Sequence, residues 1–211
     1  MTAASDLQQA VLTGDAAAAV SAANAALAAG AEPMSLVTQC IAPAMREAGE
    51  LFEQGDYFVP ELLMAARATK GVFEILRPLL AKQGVEPVGR VVLGTVDGDL
   101  HDIGKNLVAA MLEGGGFEVI DLGVSVKPDQ FVSAAEQRQA DIVGLSALLT
   151  TTMPAMKTAL AALKSSPRVD KMKIMVGGAP VTQAFASSIG ADGYAENASA
   201  AVSVARQLIG K

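Results

Sequence analysis

Residues 90–106 read RVVLGTVDGDLHDIGKN, and this stretch decides the fold. An apolar, β-branched run over 90–95 passes through a loop rich in glycine and aspartate into a segment with helical spacing. A strand followed by a loop and a helix is the repeating unit of α/β proteins. The stretch therefore predicts the first strand and the first crossover helix of a parallel sheet.

The same alternation continues to the end of the chain. Further β-rich runs are predicted at 118–122, 142–146, 173–177 and 193–195, and helices near 103–114, 128–139, 153–165, 180–190 and 197–209. This pattern predicts a doubly wound, flavodoxin-like or Rossmann-like sheet of five parallel strands. Such sheets bind ligands beyond the carboxyl ends of their strands, so we expect the site in the loops after the first, third and fourth strands.

The residues before this sheet have a helical pattern throughout. Alanine, leucine, glutamate and methionine recur at spacings of three and four, with no alternating β-branched run. Breaks at glycine, aspartate and proline predict a four-helix bundle, with helices near 5–12, 16–29, 34–54 and 60–81. The composition changes between 83 and 89, so the sequence predicts a helical cap at 1–84 and an α/β domain at 88–211.

Composition excludes several classes of protein. The formal net charge of −6 and the lack of a basic run argue against a nucleic-acid partner. Neither a membrane span nor a secretory signal is present in the pattern, so we expect a cytoplasmic protein with no membrane partner. A single cysteine, Cys40, excludes an internal disulfide and a multi-cysteine zinc site. Because the chain has one histidine, any histidine chemistry must use His101.

Three phosphate-related patterns fail in the loop after the first strand. A phosphate-binding loop would need four residues between its glycines and Ser or Thr after its lysine, whereas five separate Gly98 from Gly104 and Asn106 follows the lysine. The dinucleotide fingerprint Gly-x-Gly-x-x-Gly is missing at this turn. A phosphoacceptor receiver would need an aspartate at the end of the third strand, where Ser146 stands.

His101 could instead bind a metal. A metal-ligating imidazole needs a hydrogen bond at its second nitrogen, and either Asp99 or Asp102 is close enough in sequence to accept it. One protein ligand would leave a bare zinc or iron ion underligated, which favours a metal carried inside a macrocycle. The alternative is a loop histidine that caps the following helix.

Three motifs resemble the cobalamin-binding module that carries its cofactor base-off, with histidine as the lower axial ligand. They are Asp-x-His-x-x-Gly at 99–104, Ser-x-Leu at 146–148 and Gly-Gly at 177–178, separated by 41 and 28 residues as that family requires. The resemblance implies that the cofactor is cobalamin, as methylcobalamin, cob(I)alamin or cob(II)alamin. It also implies that His101 is the ligand of the cobalt.

The resemblance assigns further residues. Ser146 would hydrogen-bond the benzimidazole of the cofactor tail, and Thr152 stands where methionine synthase has a serine that hydrogen-bonds the aspartate of the Asp–His pair. His101, Asp99 and Thr152 would then form the catalytic group. The other expected cofactor contacts are Gly98, Leu100, Asp102, Ile103, Gly104, Leu148, Thr150, Gly177, Gly178, Tyr194 and Ala198. Helix capping is the alternative role for Ser146 and Thr152.

The helical half also resembles this family. In the methionine synthase module and in the corrinoid proteins of methanol, methylamine and aryl-ether metabolism, a four-helix cap with a Phe-x-x-Gly and a Pro-Glu-Leu-like pattern covers the upper corrin face. By this resemblance Phe52, Val59 and Leu62 would shield the methyl–cobalt bond from water. On pattern alone the three side chains are core residues.

The resemblance implies a corrinoid methyl carrier that is not catalytic alone. Its expected partners are a substrate-specific methyltransferase, a corrinoid:tetrahydrofolate or corrinoid:coenzyme M methyltransferase, and a reductive activator. Two alternatives use the same residues: a cobalamin sensor with a regulatory role, and a cobalamin storage protein.

Overall fold

The structure is a computed structural model that describes residues 3–167 and 169–210. The chain divides into two compact units. The first extends up to Pro87 and includes Ala110–Gly116, and the second comprises Val88–Ala109 and the residues from Phe117 onward. Among the described residues, no helix has the length and apolar character needed to cross a membrane.

The first unit is helical, as predicted. Its elements are α1 (Ala3–Leu12), α2 (Ala16–Ala28), α3 (Pro33–Leu36), a π-helical stretch (Val37–Ile41), α4 (Ala42–Gln54) and α5 (Val59–Lys82). The prediction of one regular helix over 34–54 was wrong in detail, because the π-helical stretch separates α3 from α4. Pro43 has no N–H and cannot donate to the carbonyl four residues earlier, and the wide turn ends just before it.

Thr69, in the middle of α5, is fully buried, and its hydroxyl has no hydrogen-bond partner in the described part of the chain. A buried hydroxyl without a partner costs free energy, so Thr69→Val should raise the free energy of unfolding by about 1 kcal/mol. Urea denaturation followed by circular dichroism measures this change. The control is Thr38→Val, since the exposed Thr38 hydroxyl donates to Met34 O at 3.0 Å. A destabilised Thr69→Val variant would contradict the prediction.

The second unit is a parallel sheet, which confirms the predicted fold class. Its strands are β1 (Arg90–Thr95), β2 (Glu118–Asp121), β3 (Ile142–Ser146), β4 (Lys173–Gly177) and β5 (Gly193–Ala195), in the order β2-β1-β3-β4-β5. The helices between and after them are α6 (Ile103–Gly114), α7 (Pro128–Gln137), α8 (Met153–Lys164), α9 (Gln183–Ile189) and α10 (Ala198–Leu208), and the end of α6 from Ala110 onward is counted with the first unit. The connection reverses direction between β1 and β3, so the ligand-binding crevice of this topology lies at their carboxyl ends.

The register places the ends of four strands side by side. Thr95 pairs with Ser146, Ser146 with Gly177, and Gly177 with Ala195. Predicted boundaries differ by a few residues at β2, α7 and α9. The helix α9 is shorter than the predicted 180–190, because the Thr182 hydroxyl accepts from Phe185 N and fixes the start of the helix.

Candidate functional site

Asp99 lies at the centre of the candidate site. It follows β1, its side chain is fully buried, and its carboxylate accepts four hydrogen bonds. Oδ1 accepts from the backbone N–H of His101 at 3.0 Å and lies 2.9 Å from His101 Nδ1. Oδ2 accepts from Leu148 N at 2.8 Å and from the Thr152 hydroxyl at 2.7 Å. One carboxylate therefore joins the loop after β1 to the loop after β3.

These donors decide the charge of Asp99. Burial alone would raise the pKa of the carboxyl, but the hydrogen bonds from Leu148, His101 and Thr152 act in the opposite direction and lower the pKa well below its usual range. Asp99 is therefore ionised and accepts hydrogen bonds at both oxygens. The proton in the Asp99–His101 contact must lie on Nδ1 of the imidazole.

The depressed pKa makes Asp99 a contributor to stability. The contribution is complete above the unfolded-state pKa of about 3.9, and it is lost as the pH falls through the lower folded-state pKa. Asp99→Asn should lower the free energy of unfolding at pH 7 by about 2 kcal/mol, because an amide cannot accept all four bonds. It should also flatten the acid side of the stability profile. Urea denaturation between pH 3 and pH 7 measures both, with exposed Asp129→Asn as the control; equal acid slopes in wild type and Asp99→Asn would contradict the assignment.

His101 makes three hydrogen-bonding contacts, yet its side chain remains half exposed. Its backbone N–H and Nδ1 contact Asp99, and its carbonyl accepts from the Thr95 hydroxyl at 2.9 Å. Half of its side-chain surface is open to solvent. With Nδ1 protonated, Nε2 carries the lone pair, and no described residue hydrogen-bonds Nε2. An imidazole oriented in this way can serve as a single axial ligand.

The structure chooses between alternatives that the sequence left open. Asp99, and not Asp102, accepts from the imidazole; Asp102 instead accepts from Asn106 Nδ2 at 3.1 Å. Thr152 occupies the residue before α8, yet its side chain makes no capping hydrogen bond and donates to Asp99. The structure therefore brings Asp99, His101 and Thr152 together.

The loops after β3 and β4 approach each other closely at Gly178. This residue has a φ of +126°, and a Cβ atom built on it would lie 1.9 Å from Ala147 O. A Cβ atom on Gly177 would lie 3.0 Å from Ala195 O. Ser146, partly buried, ends β3 beside Gly177. Backbone packing at the sheet edge thus requires glycine at 178 and leaves little room for a side chain at 177, apart from any ligand.

Exposed apolar side chains lie next to His101 in the sequence and in the loop after β3. Leu100 exposes 73% of its surface and Ile103 69%, and Leu148, whose N–H binds Asp99, is also exposed. A Cβ atom on Gly98 or on Gly104 would meet no atom within 4 Å. Among the described residues, no group of three or more His, Cys, Asp or Glu side chains could hold a metal ion. One free imidazole nitrogen beside apolar surface and open space fits a planar macrocycle whose metal lacks only an axial ligand.

The remaining predicted contacts lie in different places. Thr150 is exposed in the loop after β3, Tyr194 lies in β5, and Ala198 is the buried first residue of α10. In the helical unit, Phe52 is partly exposed and Val59 is exposed, but Leu62 is fully buried and presents no surface in this structure. The neighbouring side chains of Phe58, Leu63 and Met64 are exposed instead. That Phe52, Val59 and Leu62 cover a corrin stays a prediction.

Two residues near the site did not stand out in the sequence as site residues. The buried Lys105 donates to Asp121 Oδ2 at 2.5 Å and to Asn106 Oδ1 at 2.6 Å, and so ties the start of α6 to the end of β2. Ser125 lies in the loop after β2 and hydrogen-bonds the loop that carries Asp99. Each lies beside the sheet edge, a position that periodicity alone does not reveal.

Two protein families match the chain. Both are described as "B12 binding domain", one matching residues 89–203 and the other residues 3–77. Dimethylamine corrinoid protein 1 of Methanosarcina acetivorans is 45% identical over 84% of each chain.

Solved structures give a similar result. The crystal structure of a cobalamin-binding protein from Desulfitobacterium hafniense superposes with a TM-score of 0.79, 31% identity and 96% coverage of both chains. The methanol:cobalamin methyltransferase complex MtaBC of Methanosarcina barkeri gives a TM-score of 0.82 and 28% identity, over 99% of this chain and 80% of that chain. Their folds are those described above for the two units.

Proposed function

Because the chain belongs to the family of B12-binding corrinoid proteins, whose cofactor is cobalamin, we propose that it is a methyl carrier. In this carrier His101 is the lower axial ligand of the cobalt. In this proposal the cobalamin is bound base-off, with its own benzimidazole displaced from the metal. The protein accepts a methyl group at one methyltransferase and delivers it at another.

The observation that carries the proposal is the orientation of His101. Its Nδ1 is fixed by an ionised, fully buried Asp99, and Nε2 is left without a protein partner in the described residues. Carboxylate partners of this kind fix the tautomer of a metal-binding histidine and raise its basicity. The half-exposed imidazole can therefore offer Nε2 to the metal of a bound cofactor.

When bound, cobalamin supplies the reactivity needed to accept a methyl group and to release it. The chain supplies coordination and surroundings. His101 offers Nε2, Asp99 and Thr152 hold the imidazole, and the exposed Leu100 and Ile103 offer an apolar surface that would exclude water. Ser146, Gly177 and Gly178 lie at the ends of the adjacent strands, where the displaced nucleotide tail would be bound.

The partners proposed are two methyltransferases and a reductive activator. A methylamine is the methyl donor proposed here, because a dimethylamine corrinoid protein is 45% identical to this chain, and methanol is the alternative donor. Tetrahydrofolate and coenzyme M are the candidate acceptors. A cobalamin store or sensor would bind the cofactor equally well but would not turn over with a methyltransferase.

The test starts from purified protein and hydroxocobalamin. After gel filtration and reduction to Co(II), the electron paramagnetic resonance spectrum is recorded with unlabelled and with nitrogen-15-labelled protein. We expect a stoichiometric complex whose nitrogen splitting changes with the protein label. A splitting that does not change would exclude His101 as the ligand. Failure of the loaded protein to accept a methyl group from methylamines, methanol and methoxyaromatic compounds, each with its methyltransferase, would favour the store or the sensor.

Gly104 provides a separate prediction about room for the cofactor. Its backbone has no left-handed φ, and a Cβ atom would meet no atom within 4 Å. Gly104→Ala should therefore leave the apoprotein at least as stable as the wild type, since alanine reduces the entropy of the unfolded chain. It should weaken cobalamin binding by about tenfold through crowding of the ligand. Urea denaturation of the apoprotein and spectrophotometric titration with hydroxocobalamin measure the two effects, and unchanged affinity would show that this space is not used.

A further inference from the structure

The loop between β2 and α7, residues 122–127, holds the loop that carries Asp99 and His101. Thr95 N donates to Gly123 O at 3.0 Å, Val126 N donates to Thr95 O at 2.9 Å, and Ser125 N donates to Asp99 O at 2.9 Å. These bonds run beyond the last paired residues of β1 and β2. The peptide segment that precedes His101 is therefore held on the side away from β3.

Ser125 adds side-chain bonds to these backbone bonds. Its hydroxyl accepts from Gly98 N at 3.1 Å and donates to Asp97 Oδ1 at 3.3 Å. Together with the bond from Ser125 N to Asp99 O, one residue contacts three consecutive residues of the segment before His101. In the part of the chain that the structure describes, no other side chain hydrogen-bonds Asp97 or Gly98.

The backbone of Ser125 is in an uncommon conformation. Its φ is +50°, in the left-handed region, and among the described residues other than glycine only Gln139 shares a positive φ. Such conformations cost free energy and persist where the surroundings require them. Here the left-handed turn goes together with contacts of both the Ser125 N–H and the hydroxyl to the same segment.

We propose that Ser125 is a positioning residue for His101: its hydroxyl fixes the Asp97–Gly98–Asp99 segment, and through Asp99 it sets the orientation in which the imidazole offers Nε2. The proposal rests on the function proposed above. Asp99 is buried and joined to the loop after β3 at Oδ2, so a shift of its backbone would have to change the Oδ1 contact with the imidazole.

Loss of the hydroxyl should not unfold the protein. Asp97 and Gly98 are exposed, so water can replace the bonds that Ser125 makes to them. The three backbone bonds of the 122–127 loop are unaffected by side-chain replacement. A variant at this position therefore separates positioning from folding.

The experiment uses three variants of the full chain. Ser125→Ala removes the hydroxyl, and Ser125→Gly removes it and also relieves the left-handed φ. Ser125→Asn tolerates a left-handed φ, and its amide can both accept from Gly98 N and donate to Asp97, so it is the expected rescue. If the effect depends on the hydroxyl, the Ala and Gly variants should behave alike. If it depends on backbone strain, these two variants should differ.

The first readout needs no cofactor. Because His101 is the only histidine, nitrogen-15-labelled histidine gives ring signals from a single residue. In wild-type apoprotein at alkaline pH we expect the Nδ1–H tautomer. In Ser125→Ala and Ser125→Gly we expect a mixture with the Nε2–H tautomer, at a thermal midpoint no lower than that of the wild type. The Asn variant should return to the wild-type signals.

The second readout uses Co(II) cobalamin bound to the same variants. We expect the ratio of histidine-ligated to unligated complex to fall about tenfold in the Ala and Gly variants, at the lower end of the losses seen for outer-shell partners. Unchanged ring signals in folded Ser125→Ala, or an Asn variant that behaves as Ala does, would overturn the proposal. If wild-type protein shows no histidine-ligated complex, the proposed function fails, while the ring signals of the apoprotein still decide the role of Ser125.

Discussion

His101→Ala should abolish the protein-derived nitrogen splitting in the spectrum of bound Co(II) cobalamin. The chain holds no second histidine, and in the described part of the chain no cluster of ligating side chains could replace it. Cobalamin should still bind, because the apolar surface near Leu100 and the glycines at the sheet edge are unchanged. Methyl transfer between the two proposed methyltransferases should slow by at least about 100-fold, because loss of a ligand should cost no less than the largest losses seen for outer-shell partners of metal ligands.

Two controls separate this effect from damage to the loop. Asp102→Asn changes the neighbouring exposed carboxylate, which contacts Asn106, and should keep the wild-type splitting. Added nitrogen-15 imidazole should enter the space left in His101→Ala and restore a splitting that depends on the label of the imidazole. A His101→Ala complex that keeps the protein-dependent splitting, or transfers methyl groups at the wild-type rate, would contradict the proposal that His101 is the ligand.

Among alanine replacements of the glycines described in the second unit, Gly178→Ala should cause the largest loss of stability. The new methyl group would lie 1.9 Å from Ala147 O, and the residue would have to keep a φ of +126°. Overpacking and left-handed strain each cost about 1–3 kcal/mol, so the free energy of unfolding should fall by about 4 kcal/mol. Urea denaturation followed by circular dichroism measures the loss.

Neighbouring glycines provide matched controls. Gly177→Ala places its methyl group 3.0 Å from Ala195 O without a left-handed φ and should cost about 1 kcal/mol. Gly104→Ala meets open space. The order of destabilisation should therefore be Gly178, Gly177 and then Gly104. A stable Gly178→Ala variant would mean that the loops after β3 and β4 can separate without cost.

The α/β fold could be predicted because each strand is an apolar run bounded by polar turns. In β1, five of the six residues are buried, and the sequence marks both ends of the strand, with Gly89 before it and the Asp97–Gly98 turn after it. The π-helical stretch before Pro43 could not be predicted from helical spacing, because one wide turn shifts the pattern by a single residue.

The candidate site could likewise be predicted only in part from the sequence. The residues alone predicted a carboxylate partner for His101 without choosing between Asp99 and Asp102, and the family resemblance selected Asp99. Spacing could not make that choice, because it depends on which side chain turns inward to donors from Leu148 and Thr152, about fifty residues away. Ser125 could not be found because its role comes from a left-handed backbone angle and from contacts across the sheet edge.

The aligned ends of β1, β3, β4 and β5 have a thermodynamic consequence. Thr95, Ser146, Gly177 and Ala195 become neighbours only when the strands have paired, although they span one hundred residues of sequence. An unfolded chain therefore does not assemble the complete site, and it should bind cobalamin far more weakly than the folded chain does. Free cofactor at 100 times its dissociation constant should then raise the free energy of unfolding by about 2.7 kcal/mol, so the apoprotein should unfold at a lower urea concentration than the cobalamin-bound protein.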